Sequence, residues 1–178
     1  ERYYKPLVMQ LNRLRVPTIA AVNGVAAGAG ASIAMACDLV IASDKASFLI
    51  PFSKIGLIPD TGASWHLPRA VGQARAMGLA LTARKLSAQQ AADWGLIWET
   101  VAADAFETHV TEVAEQLAIM PTRALVETRE AIKSAGDRTL EAHLSFEAEM
   151  MARLGRSDDY IEGVAAFLEK RTPNFKGL

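Results

Sequence analysis

The 178 residues are 51% hydrophobic and 22% charged, with a formal net charge of −1. That composition describes a folded chain long enough for a sizeable core and excludes a disordered one. Both charge signs are mixed along the chain, so no basic face for nucleic acid or a membrane surface is expected, and apolar runs such as Thr18–Val22 fall far short of the roughly 20 residues a membrane span needs.

In chain order, "ERYYKPLVMQLNRL" reads as the middle of a helix ending at Leu14, and an N-terminal part of the natural protein is expected to be missing before it. Pro17–Gly24 is a short apolar strand that stops at a turn. "VAAGAGASIAMAC" is expected to become helical near Gly28, with Ile33, Met35 and Ala36 facing inward. Asp38–Ser43 and Ala46–Pro51 are short β-rich runs, and Asp38 is expected to bond backbone. A further helix begins near Thr61 or Gly62. Ser87-Ala88-Gln89-Gln90 has capping-box spacing, and that helix stops at Gly95.

Beyond this point the pattern is helical, with three expected buried stripes. They are Phe106, Val110, Val113 and Leu117; Leu140, Leu144, Met151 and Leu154; and Tyr160, Val164, Phe167 and Leu168. Their partner is either the first half of the chain or a neighbouring subunit. Two portions are expected, a mixed α/β one over residues 1–100 and a helical one over 101–178. Cys37 is the single cysteine, so it reads as a small apolar residue with no disulfide, which suits a reducing cytoplasm. His66 reads as structural, and His109 and His143 as solvated positions on amphipathic helices. No metal site is expected.

Two stretches carry chemistry. In "NGVAAGAGAS", Gly24, Gly28 and Gly30 permit tight turns, and a helix start there presents free backbone N–H groups to an anion or a developing oxyanion. The spacing matches neither the phosphate-binding P-loop nor the dinucleotide fingerprint, and close helix–strand packing would explain it equally well. In "IGLIPDTGASWHLPR", Asp60 sits between an apolar run and a helix start. Locally it reads as a helix cap, with Thr61 as an alternative cap. Its neighbours Phe52, Leu57, Ile58 and Pro59 are expected to desolvate it, raising its pKa toward a range useful for proton transfer.

Taken together, "PTIAAVNGVAAGAGASIAMACDLVIASDKASF", "KIGLIPDTGASWHLPRAVGQARAMGLALTARKLSAQQAADWGLIWETV" and "AFLEKRTPNFKGL" resemble the crotonase (enoyl-CoA hydratase/isomerase) superfamily over the whole chain. Within it, "GVAAGAGA", "KIGLIPDTG" and Trp94–Trp98 are similar to the ring-1,2-epoxyphenylacetyl-CoA isomerases of phenylacetate catabolism. The resemblance implies an α/β fold, a spiral of ββα units with a helical C-terminal trimerisation region. It implies acyl-CoA thioester substrates, a homotrimer or dimer of trimers, and no cofactor beyond the coenzyme A of the substrate. One oxyanion donor maps to the backbone N–H of Ala29; the second belongs to a loop upstream of these residues. Hydratases of the family carry two glutamates, at positions that here hold Ser32 and Phe52. The family's isomerases place an acid where this chain has Asp60. By that mapping Asp60 is the acid–base, and Gly28, Gly30, Ser32, Phe52, Leu57 and Pro59 line the substrate pocket. Phe175 and Lys176 reach the CoA of a neighbouring subunit. The readings left open are an isomerase, a hydratase, and a non-catalytic acyl-CoA-binding or assembly protein.

Overall fold

The structure, a computed structural model, describes residues 2–177. Helix α1 (Tyr4–Asn12) is followed by strands β1 (Ile19–Val22) and β2 (Val25–Ala27) and by helix α2 (Ala29–Ala36). Next come β3 (Leu39–Ser43), β4 (Ser47–Leu49), a 3-10 turn (Phe52–Ile55) and the long helix α3 (Ala63–Thr82). Strand β5 (Leu86–Ser87), helix α4 (Ala88–Asp93) and strand β6 (Glu99–Val101) complete this part. Strands β1 to β4 alternate between two sheets, after which β5 joins β4 and β6 joins β3. β1, β3 and β6 form one, all parallel; in the other, β4 pairs parallel with β2 and antiparallel with β5. Ile19 stands opposite Leu39 in the first sheet and Val25 opposite Ser47 in the second. Each turn of chain therefore adds one strand to each sheet, the ββα spiral implied by the resemblance.

The strand expected within Pro17–Gly24 is β1, and a second strand that was not expected, β2, follows at Val25–Ala27 in the other sheet. The chain changes sheet at Asn23-Gly24, where the Gly24 carbonyl accepts the Ser47 N–H at 3.2 Å. The inward face of α2 also differs from expectation. Ala31, Ser32, Ala34 and Ala36 are buried, while Ile33 and Met35 are only half-buried. Small side chains let α2 approach β2 and α3, which it packs against, and the larger ones are displaced to the margins. Asp38 does bond backbone: its Oδ2 accepts the Thr18 N–H at 2.9 Å and the Thr18 hydroxyl at 3.0 Å, tying the start of β1 to that of β3. Ser87 caps α4 by accepting the Gln90 N–H, and Gly95 follows that helix with φ +75. Ile41, Leu67 and Leu86 are fully enclosed in the core, where truncation to alanine typically costs about 2–5 kcal/mol.

Four helices follow: α5 (Phe106–Ala118), α6 (Thr122–Ser134), α7 (Leu140–Leu154) and α8 (Asp158–Glu169). The chain divides into two compact units. The first holds the described residues through Leu14 and Thr18–Glu112; the second holds Arg15–Pro17 and the described residues from Val113 onward. Phe106 and Val113 of the first stripe are buried. The stripes expected to be buried on α7 and α8 are not: Leu140 is 75%, Met151 70%, Phe167 83% and Leu168 73% exposed. Helix α7 packs on α6, but these apolar faces remain in solvent in the single chain.

The C-terminal residues are fastened to α8. The buried Asp159 accepts the N–H groups of Lys176 and Gly177 at 2.7 and 2.8 Å, and Glu162 accepts the N–H of Asn174 at 2.7 Å. Among the described residues no helix is long and apolar enough to cross a membrane, and no group of three or more His, Cys, Asp and Glu side chains could hold a metal ion.

Candidate active site

Strand β2 runs into Gly28, whose φ of +55 and ψ of −126 suit a residue without a Cβ. Space is not the reason, since a Cβ there would meet the Phe52 ring at an ordinary 3.7 Å. Both polar backbone groups of Gly28 are anchored. Its N–H donates to the Leu49 carbonyl of β4 at 3.0 Å; its carbonyl accepts the Ser32 N–H and the Ser32 hydroxyl, each at 3.1 Å. Helix α2 starts at the next residue, so the Ala29 N–H belongs to the first turn, where donors lack an intrahelical acceptor and the helix dipole is positive. Gly30 lies exposed on the same turn with open space around it. Ser32, expected to line a pocket, is fully enclosed instead, with its hydroxyl turned back on Gly28. Phe52 is nearly buried with its ring over Gly28.

Asp60 follows on the loop into α3. It is exposed, and Leu57 and Ile58 before it are 59% and 80% exposed. The desolvation expected from those apolar neighbours is therefore absent in this chain, and only Pro59 is half-buried. The cap reading also fails. The residue preceding α3 is Gly62, with φ +87 and no side-chain capping bond. The Thr61 hydroxyl donates instead to Asp60 Oδ1 at 2.9 Å, and the Asp60 carbonyl accepts the Ala63 N–H at 2.9 Å. Thr61 is buried at φ +54, an outlying conformation for a β-branched residue. Such backbone settings concentrate where a side chain must be held in one place.

Helix α1 completes this corner. Tyr4, Lys5, Val8 and Met9 enclose a hollow of about 370 Å³ with Asp60, Thr61 and Gly62, and α1 also touches α2. Sequence reasoning gave α1 no role, although the apolar spacing in "YYKPLVM" could have marked it. The structure thus brings Gly28, Ala29, Ser32 and Phe52 together at one turn and sets Asp60 against α1. Phe175 and Lys176 lie in the second unit, Phe175 against Gly163 and Lys176 exposed. His66 lies against Gly62 and edge-on to Trp65. His109 is not freely solvated, because its Nε2 lies 2.7 Å from Glu99 Oε1. Nor is His143, whose side chain is 14% exposed and stacks on Phe146.

A glycine-turned helix start and an acid on the loop into α3 are not unique to one chemistry, and the family is shown by comparison with known proteins. Residues 1–178 match the enoyl-CoA hydratase/isomerase family. The chain belongs to this family, the crotonase superfamily. It is 51% identical over 177 residues to the 1,2-epoxyphenylacetyl-CoA isomerase of Escherichia coli (strain K12), covering 99% of this chain and 68% of that protein. It is 48% identical over 174 residues to a protein of Rhodobacter capsulatus named "Probable enoyl-CoA hydratase", covering 98% of this chain and 68% of that one. Among solved structures, an enoyl-CoA hydratase from Polaromonas sp. JS666 superposes with a TM-score of 0.93 at 36% identity, over 97% of this chain and 67% of that one. This crotonase-family chain therefore spans about two thirds of the length of the relatives it matches, and the expected fold class holds.

Proposed function

We propose that this crotonase-family chain is part of an acyl-CoA isomerase that uses Asp60 as acid–base and the Ala29 N–H as one oxyanion donor. The observation that carries the reading is the state of Asp60: exposed, held by the Thr61 hydroxyl and not engaged in capping α3. At the two positions mapped to hydratase glutamates stand an enclosed serine and a phenylalanine, neither of which can activate water. One proton-transfer group and one oxyanion site suffice to move a double bond, whereas adding water needs a second group to orient it.

In this mechanism Asp60 removes a proton α or γ to the thioester. The electron pair delocalises onto the thioester oxygen, where Ala29 N–H and a second donor from the upstream loop stabilise it; Asp60 then returns the proton to a different carbon. Gly28, Gly30, Phe52, Leu57 and Pro59 border the acyl group. Phe175 and Lys176 contact coenzyme A across a subunit boundary in a homotrimer or dimer of trimers. The substrate supported by the 51%-identical relative's name is 2-(1,2-epoxy-1,2-dihydrophenyl)acetyl-CoA, converted to oxepin-CoA, with double-bond shifts in unsaturated acyl-CoAs as a related activity. No cofactor is required beyond the coenzyme A carried by the substrate, and the single cysteine suits a cytoplasmic protein.

Asp60→Asn keeps the shape and removes the base, so turnover of the epoxide should fall by about 10²–10⁴-fold while calorimetric binding of phenylacetyl-CoA persists. A fully active variant would overturn the assignment. The hydratase reading draws on the name of the 48%-identical relative; rapid water addition to crotonyl-CoA would favour it over isomerisation.

A further inference from the structure

We infer that Ser32 is a positioning residue, whose hydroxyl aims the peptide carrying the Ala29 N–H at the thioester oxygen. This rests on the oxyanion role proposed above for Ala29. The peptide joining Gly28 to Ala29 is a rigid trans plane, so its carbonyl and its N–H point in opposite directions. Fixing one end of that plane fixes the other. The torsions on which the plane turns include ψ of Gly28, and glycine offers little resistance of its own to rotation.

The restraint comes from outside. The Gly28 carbonyl is held by two donors of the same residue, the N–H and the hydroxyl of Ser32, both at 3.1 Å. The Gly28 N–H is held on the other side by Leu49 of β4. Ser32 has no exposed surface, so its hydroxyl has no competing water, and the bond to Gly28 satisfies it. A serine hydroxyl bonding the carbonyl four residues back is common in helices. Here the accepting carbonyl belongs to the peptide whose other end is the proposed donor. A second bond to that oxygen also polarises the peptide and strengthens its N–H as a donor. Both effects act in the same direction. The position that holds a water-directing glutamate in the family's hydratases thus holds, in this chain, a group that directs backbone.

The test is difference infrared spectroscopy of the purified protein with phenylacetyl-CoA carrying ¹³C at the thioester carbonyl, alongside kcat, KM and thermal melting. On binding to the unsubstituted protein the carbonyl band should move to lower frequency. In Ser32→Ala that displacement should shrink. There kcat should fall about tenfold, less than the roughly 10²–10³ lost when an oxyanion donor is removed outright, with KM and melting temperature little changed. Ser32→Cys, close in size but only a weak donor, should give the same loss, and it serves if the alanine variant melts early. An undiminished band displacement and kcat in either folded variant overturns the role of Ser32. A missing displacement in the unsubstituted protein overturns instead the oxyanion reading of Ala29, and the inference with it.

Discussion

Glu162 holds the C-terminal residues through three hydrogen bonds, two from the Arg171 guanidinium at 2.6 and 2.9 Å and one from the Asn174 N–H at 2.7 Å. The bonds from Arg171, and after them the Asn174 N–H, lower its pKa from 4.5 to about 2; the same pairing raises Arg171 further. A carboxylate depressed in the folded state binds fewer protons there than in the unfolded chain. Its contribution is therefore complete above about pH 4.5 and is lost as pH falls toward 2. Arg171 is exposed and Glu162 half-buried, so salt should weaken the effect in part. Following the Glu162 carboxyl carbon by NMR should give a midpoint near 2, and one near the ordinary glutamate value would contradict the geometry. Sequence reading marked Phe175 and Lys176 but gave no sign of Asp159 and Glu162 as their fastenings, because those partners lie 9 to 18 residues away on another element. Asp60 shows a different limit. Its position was legible, but its surroundings were not, since apolar neighbours such as Ile58 can stand in solvent.

Helix α3 is two helical stretches joined across a kink. Gly72 sits inside it at φ 78 and ψ 161, a region open essentially to glycine alone. A Cβ there would meet nothing within 4 Å, so substitution would be opposed by conformation and not by collision. Gly72→Ala should destabilise by about 1–3 kcal/mol, measurable by urea denaturation; an unchanged midpoint would show that the break is not required. Nothing local announces this break, because a glycine in a helical pattern is usually tolerated. The ends of α4 were legible for the opposite reason: Ser87 and Gly95 act on backbone within a turn of themselves. Strand β2 at Val25–Ala27 was not legible, since its small residues read as the approach to a helix and it is a strand only through its pairing with β4.

The second unit leaves much of its apolar surface uncovered. Met151, Tyr160, Val164, Phe167, Leu168 and Phe175 border a groove of about 820 Å³, and exposed apolar surface of this kind marks an interaction site. In the proposed homo-oligomer this surface meets other subunits. Phe167→Asp combined with Leu168→Asp should then shift sedimentation toward the monomer, and an unchanged oligomer would exclude α8 from the contact. Helical spacing made the stripes on α7 and α8 legible as apolar. It could not say what covers them, because periodicity records that a face avoids water and not which molecule shields it.

The turn at Gly28 is completed by residues that lie later in the chain. Its N–H is anchored by Leu49 and its face is closed by Phe52, both reached only after another helix and strand. During refolding α2 can form before β4 arrives, but β2, which pairs with β4, and the turn proposed to hold the oxyanion cannot. Regain of activity therefore times the docking of the second coil against the first, and should trail the recovery of helical signal.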